Sequence, residues 1–163
     1  METSFPSLAD IDLQWQLLGE RATRHSPLLA YTPLDKDLSI YDEVHDEVIS
    51  SERVYKPTVS LRAHVVPAEQ AFPLTVFGIE ELRDAVLQVD VASLVAVGLA
   101  VVDETTRAVT LLAATGDRFT LTGFVYEVLV WKIGQTFGST DVPLFFLASC
   151  EKVRRDASPY EGL

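Results

Sequence analysis

Residues 115–131 read Thr115-Gly116-Asp117-Arg118-Phe119-Thr120-Leu121-Thr122-Gly123-Phe124-Val125-Tyr126-Glu127-Val128-Leu129-Val130-Trp131. Two runs rich in β-branched and aromatic residues, Arg118 to Leu121 and Phe124 to Trp131, flank Thr122-Gly123, and glycine supplies the positive φ that two-residue hairpin turns demand. The stretch is therefore a β-hairpin. Gly116-Asp117 is a second turn signal just before it. Nothing in the segment is a reactive constellation, so its reading decides the fold and not a chemistry.

Working outward, further strands follow on both sides. Val59, Leu61, Ala63 and Val65 alternate with Ser60, Arg62 and His64, a half-buried strand ended by Pro67. Leu87, Val89 and Val91 alternate with Gln88 and Asp90 in a second strand. Ser93 to Gly98 fits a short helix that Ser93 caps and Gly98 ends, although periodicity leaves a buried strand open there. Leu99–Val102 and Ala108–Ala113 then read as strands around the polar turn 103–107. A Gly/Ser/Thr loop over Gly134–Asp141 precedes a last strand from Leu144 through Cys150 to Val153. Residues 68–73 read as a loop and Gly78–Asp84 as a connector or helical turn.

The N-terminal part is different in character. Ser7 followed by Asp10 has the form of a capping box, and Leu8, Ile11, Trp15 and Leu18 fall at helical spacing, which predicts a helix from Ser4 to about His25, ended by Gly19 or by Ser26-Pro27. Pro27 to Ser51 is acidic and irregular, longer than loops inside compact domains, and reads as an extended arm. The expected organisation is a helix and arm over residues 1–55, a domain over 56–155 and a flexible tail over 156–163. The expected fold is mainly β, a small antiparallel barrel or sandwich of about seven strands.

Composition narrows the function. The chain has 163 residues, 48% of them apolar, and a formal charge of −11. That is enough for one real core, and the acidic balance argues against gripping a nucleic-acid backbone, despite the small basic group Lys152, Arg154 and Arg155. The longest apolar run, Val91–Val102, is too short for a membrane span, and the N-terminus has neither the basic nor the apolar region of a secretory signal. The lone Cys150 lies in an apolar run and reads as a buried thiol, which fits synthesis in a reducing cytoplasm.

The residues offer no reactive constellation. His25, His45 and His64 stand apart from one another in sequence, with no metal-ligand spacing. Asp35, Asp37, Ser39 and Asp46 partly mimic a calcium loop, but Ile40 occupies the position where an EF-hand needs glycine. No Gly-x-Ser-x-Gly elbow and no phosphate-cradling glycine loop is present, and Cys150 has no histidine near it in sequence. No catalytic residue, cofactor or metal site is expected. The chain instead carries surplus apolar surface. Phe124, Tyr126, Val128 and Val130 would share one strand face, with Val125, Leu129, Trp131 and Glu127 on the other, and the Phe145-Phe146 pair raises the same question of a strand covered on both sides.

Ile40-Tyr41-Asp42-Glu43, the strand opening Lys56-Pro57-Thr58-Val59, the Gly78-Ile79 connector, and above all Gly116-Asp117-Arg118-Phe119 with Gly123-Phe124-Val125-Tyr126-Glu127-Val128 resemble the neck and head-closure proteins of tailed bacteriophages. The resemblance covers residues 40 to 153. It implies a small β-barrel with a long arm, assembled as a homo-oligomeric ring between the portal or its adaptor and the tail proteins, with DNA only passing through the lumen. It also implies a virion location after synthesis in the bacterial cytoplasm. An acidic lumen would repel phosphates and let a duplex slide. Subunit contacts are then expected at Trp15, Tyr41, Phe124, Tyr126, Trp131 and Phe145, and removal of Met1–Ser51 is expected to spare the β-domain. A tail or baseplate β-protein is the nearest alternative, and a small cytoplasmic β-barrel enzyme or ligand-binding protein is one of a different class.

The hairpin reading has a direct test. Gly123→Val places a β-branched side chain at positive φ, a cost on the order of 1–2 kcal/mol, and should lower the melting temperature; an unchanged value would place the turn elsewhere.

Overall fold

Ser7 and Asp10 do cap the first helix. In the computed structural model, the amide of Ser7 donates to Asp10 Oδ2 at 2.9 Å and the amide of Asp10 donates to Ser7 Oγ at 3.3 Å. These bonds satisfy donors that a helix start leaves without partners. The structure describes residues 7–35, 41–42, 47–48, 54–67, 84–138 and 140–153. Helix α1 runs over Leu8–His25 and passes through Gly19 without stopping. It ends where the Ser26 amide donates to the Ala22 carbonyl, just before Pro27. Ile11, Trp15 and Ala22 are its buried residues. Leu8, expected in the same stripe, is exposed. Expected residues before Ser7, the loop at 68–73, most of the 78–84 connector and the 156–163 tail lie outside the described residues.

The strands are β1 (Leu28–Thr32), β2 (Tyr41–Asp42), β3 (Glu47–Val48), β4 (Val59–Arg62), β5 (His64–Pro67) and β6 (Ala85–Asp90). After helix α2 (Val91–Ala96) come β7 (Ala100–Val102), β8 (Val109–Leu111), β9 (Arg118–Leu121), β10 (Phe124–Thr136) and β11 (Pro143–Lys152). Seven of them form one sheet in the order β4-β1-β9-β10-β11-β6-β5, antiparallel at every step. Pairs β2-β3 and β7-β8 are separate ribbons. The fold is mainly β with an N-terminal helix, as expected, but among the described residues no hydrogen-bonded ladder closes it into a barrel.

The two edge strands, β4 and β5, are nonetheless consecutive in the chain, joined by Ala63 alone. Two trans peptide steps of 3.80 Å hold Arg62 and His64 within about 7.6 Å of each other. A seven-stranded sheet whose opposite edges are that close must coil round on itself. The continuous alternation from Val59 to Val65 thus conceals a corner, and what read as one strand is two. Ala63, buried at the corner, donates its amide to the Pro27 carbonyl.

The segment read as an arm needs a larger correction. Its first part is β1, which pairs with β4 on one side and β9 on the other and buries Leu29 and Tyr31. Two backbone hydrogen bonds then pin its base, the Asp35 amide donating to the Val54 carbonyl and the Lys56 amide to the Pro33 carbonyl, each at 2.8 Å. The chain therefore leaves and returns at one place, and Tyr41–Asp42 pairs with Glu47–Val48 within the excursion. Five residues between two prolines, beside an acidic run, gave too little pattern to mark a central strand.

Smaller shifts have local causes. Asp90 caps α2, accepting from the Ser93 amide at 3.1 Å and its hydroxyl at 2.6 Å, so the helix starts two residues before the expected cap. Strand β10 continues to Thr136, through what read as the start of a loop, and the turn tightens where the Phe137 amide donates to the Val142 carbonyl. Thr122 and Gly123, at φ 50° and 84°, make the predicted two-residue turn between Leu121 and Phe124.

Strand β10 also contains irregularities that redistribute its side chains. Its register against β11 jumps between Val128 and Val130, leaving Leu129 as an extra residue. An extra residue reverses which face every later side chain occupies. Trp131 consequently packs with Val128 in the main core, while Val130 joins Val86, Leu147, Val66 and Phe145 in a second cluster on the opposite face. A second jump falls at Gly134. A Cβ there would collide with the Phe145 ring and Leu147, so only glycine lets Phe145 lie across the strand. The expectation that part of the sheet is covered on both faces holds for β6 and β11, where Val86 and Leu147 are as buried as the main core.

The expected independence of the β-domain from Met1–Ser51 does not survive this topology. Deleting that stretch removes Trp15, Leu29 and Tyr31 from the main core and splits β4 from β9. The truncated chain should lose its cooperative melting transition and most of its β-sheet circular dichroism.

Candidate interaction surfaces

One group of ionisable side chains is buried. Asp117, 1% exposed, accepts from the Tyr31 hydroxyl at 2.6 Å, the Leu34 amide at 2.7 Å and the Ala114 amide at 2.8 Å. Its own backbone is tied as well, its carbonyl accepting from the Val128 amide at 2.8 Å. A buried carboxylate is tolerated only with such a set of donors. Burial, with the neighbouring Asp117 charge adding to it, pushes the Tyr31 hydroxyl well above its ordinary value. Burial pushes the nearby Cys150 thiol up in the same way. The Trp131 indole N–H is buried and makes no hydrogen bond among the described residues. Tyr31 and Cys150 are held in their uncharged forms, and Tyr31, Asp117 and Cys150 are sealed from solvent, so the cluster serves the fold.

Of the six residues expected at subunit contacts, most are engaged within the chain. Trp15 turns inward and donates its indole N–H to the Pro143 carbonyl at 2.9 Å, which makes it a core residue of its own domain. Tyr126 is half-buried and stacks on Phe119 with ring centres 5.1 Å apart. Trp131 packs against the main core and Phe145 against the second cluster. Tyr41 lies in the β2-β3 ribbon. Phe124 is the one whose side chain is shown open to solvent, at 48% exposure, with the Lys152 ammonium 3.5 Å from its ring centre.

Phe124 belongs to an exposed apolar end of the sheet. Val125 and Val153 lie beside it, both exposed, and the Val153 amide donates to the Val125 carbonyl. Phe124 is in step with Tyr126 and Val128, hence on the inner face, whereas Val125 is on the outer face. The hairpin end is apolar on both sides. The neighbouring Glu127 forms an ion pair with Arg118, 3.3 Å away.

At the other end of the β10-β11 ladder, α1, α2 and the end of β7 enclose an open groove of about 750 Å³. Val91, Val95, Ala96 and Val102 line its floor with Trp15, and Asp12, Glu104 and Arg107 form the rim. Val95 is exposed and Leu94, beside it, is fully buried. Arg107, at the positive φ of 60°, reaches back to Asp12 at 2.8 Å and donates to the Glu104 carbonyl, which ties the β7-β8 turn to α1. This pairing holds the Asp12 carboxyl below its ordinary range and raises the guanidinium.

A third feature is a cleft of about 240 Å³ beside the end of α1. Arg21, His25, His64, Gln88 and Asp90 meet there, with Phe145 at one side. The sequence separates His25 from His64 by 39 positions, and only the pairing of β5 with β6 next to α1 places them around one space. Among the described residues no three histidine, cysteine or carboxylate groups converge as a metal site. Asp37, Ser39 and Asp46 of the calcium-loop comparison, and His45, lie outside the described residues. No described helix is long and apolar enough to cross a membrane.

Compared with known proteins, the chain matches no family model, no curated protein and no solved structure. Its surfaces therefore carry the functional reading.

Sequence reasoning took Asp117 as a turn residue and missed its carboxylate; a Gly-Asp pair followed by an alternating strand offers no sign of which distant donors will reach it. Asp117→Ala leaves the Tyr31 hydroxyl and the Leu34 and Ala114 amides without their acceptor. At about 1–3 kcal/mol for each stranded group, the loss should exceed about 3 kcal/mol in chemical denaturation.

Proposed function

We propose that the protein is a non-enzymatic structural component of a tailed-phage virion, a neck or head-closure protein that assembles as a ring between the portal or its adaptor and the tail. The observation that carries this reading is the state of the Gly116–Val128 hairpin. The segment that resembles the phage neck proteins is firmly built into the sheet, and it ends in Phe124 and Val125, exposed on opposite faces. Exposed apolar residues at the rim of a rigid sheet suit contact with another protein surface. The partners of this reading are further copies of the chain, then portal and tail proteins. DNA passes through the ring, and a chain of charge −11 would present it little attraction.

A ring needs two different patches on each subunit, so that each copy meets the next in one rotational sense. A tail or baseplate ring would use the same property with other partners. The reading of a different class, a small-molecule-binding protein or enzyme, draws on the cleft where Arg21, His25 and His64 meet. Electron microscopy of the purified protein and of the parent particle separates them. Closed rings, and the same protein at the head-tail junction, are expected; a protein that is monomeric throughout and absent from purified particles would refute the virion reading.

A further inference from the structure

The exposed hairpin end and the helical groove occupy opposite ends of one ladder. Lys152, over the Phe124 ring, pairs with Tyr126 at one end of β11. Pro143, which accepts the Trp15 indole N–H at the wall of the groove, begins the same strand. Nine residue steps at about 3.4 Å separate them by roughly 30 Å. One molecule's hairpin end cannot fill its own groove.

The two surfaces also match in character. The hairpin end offers an aromatic ring with a cation laid over it, with Val125 exposed on the other face of the sheet and Val153 next to Lys152 in the chain. The groove offers an apolar floor formed by Val91, Val95 and Ala96, and a rim with two carboxylates, Asp12 and Glu104, against one guanidinium, Arg107. A Phe-Lys pair entering that groove would bury apolar surface at its centre and set the ammonium against the net negative rim, with the polar contacts left outermost.

We infer that the Phe124-Lys152 end of one copy docks in the α1-α2-β7 groove of a second copy, giving a head-to-tail contact between unlike patches. Such a contact leaves one free end of each kind, so copies add until the rotation closes a ring. The inference rests on the ring reading and assigns its interface. It also explains why the one expected contact residue shown open to solvent is Phe124, and why Arg107 is held over α1 at the groove's rim.

The test uses two variants of the full chain, Phe124→Ser and Val95→Asp, both at exposed positions, with unchanged melting temperature as the folding control. Light scattering and native mass spectrometry read the assembly state. Wild type should assemble, and each variant alone should fall to the monomer. Mixed, the intact hairpin end of Val95→Asp should enter the intact groove of Phe124→Ser, giving one-to-one pairs and nothing larger. Lys152→Glu should weaken wild-type assembly, and adding Glu104→Lys to it should restore it. Assembly that persists in either single variant overturns the inference and leaves the ring reading standing. Loss in both without pairing on mixing means that the two patches do not meet each other, and also overturns it. A wild type that stays monomeric at its highest soluble concentration, with no ring in the parent particle, overturns both.

Discussion

The carboxylate of Asp117 is the point on which the fold turns. It lies at the start of the central hairpin, yet its donors come from three parts of the chain: Tyr31 in β1, Leu34 just beyond it and Ala114 before β9. A charge buried this deeply is stable only while every donor stays in place. The bonds therefore fix where β1 enters the sheet, how the 33–35 segment leaves it, and how the chain turns into β9. The exchange between Gly116 or Asp117 and Val128 then anchors the same turn to β10. A strand that the acidic composition of its surroundings disguised is held in the centre of the sheet by a group that looked like turn punctuation.

Around that anchor the sheet coils until its edges meet at Ala63. Coiling alone would give one core, lined by the inner faces of the strands. The extra residue at Leu129 changes this, because beyond it β10 sends Trp131 inward and Val130 outward. The outward residues find Leu147 and Val86 on the neighbouring strands, and Gly134 makes room for Phe145 among them. The same strand thus serves the main core along its first half and both faces further on. At its beginning, where β11 ends, Phe124 and Val125 remain exposed. The apolar surplus that suggested assembly is mostly internal, and its exposed remainder includes Phe124, Val125 and Val153 at the hairpin end and Val95 at the helical groove.

The candidate surfaces were legible to different degrees. Phe124 was singled out with Tyr126 and Trp131 because both faces of its strand are apolar, and that pattern did not tell which of them stays exposed. Trp15 could not be placed: its helical stripe was plain, but a stripe does not say what covers it, and the answer was the start of β11. The groove had no sequence signal, since Asp12, Val95 and Arg107 are far apart in the chain. The meeting of His25 with His64 was equally hidden, because it depends on β5 crossing to the far edge of the sheet.

By itself the sequence determined what local stereochemistry controls. The capping box of α1, the Thr122-Gly123 turn, the alternating strands and the mainly β character all follow from side-chain spacing and from the φ preferences of a few residues. Only the tertiary structure decided that β1 is central, that Val59 to Val65 turns a corner, that Leu129 reverses the faces of β10, and that Asp117 is an anchor. Each depends on partners remote in the chain, and periodicity reports which residues share a face but not what that face will meet.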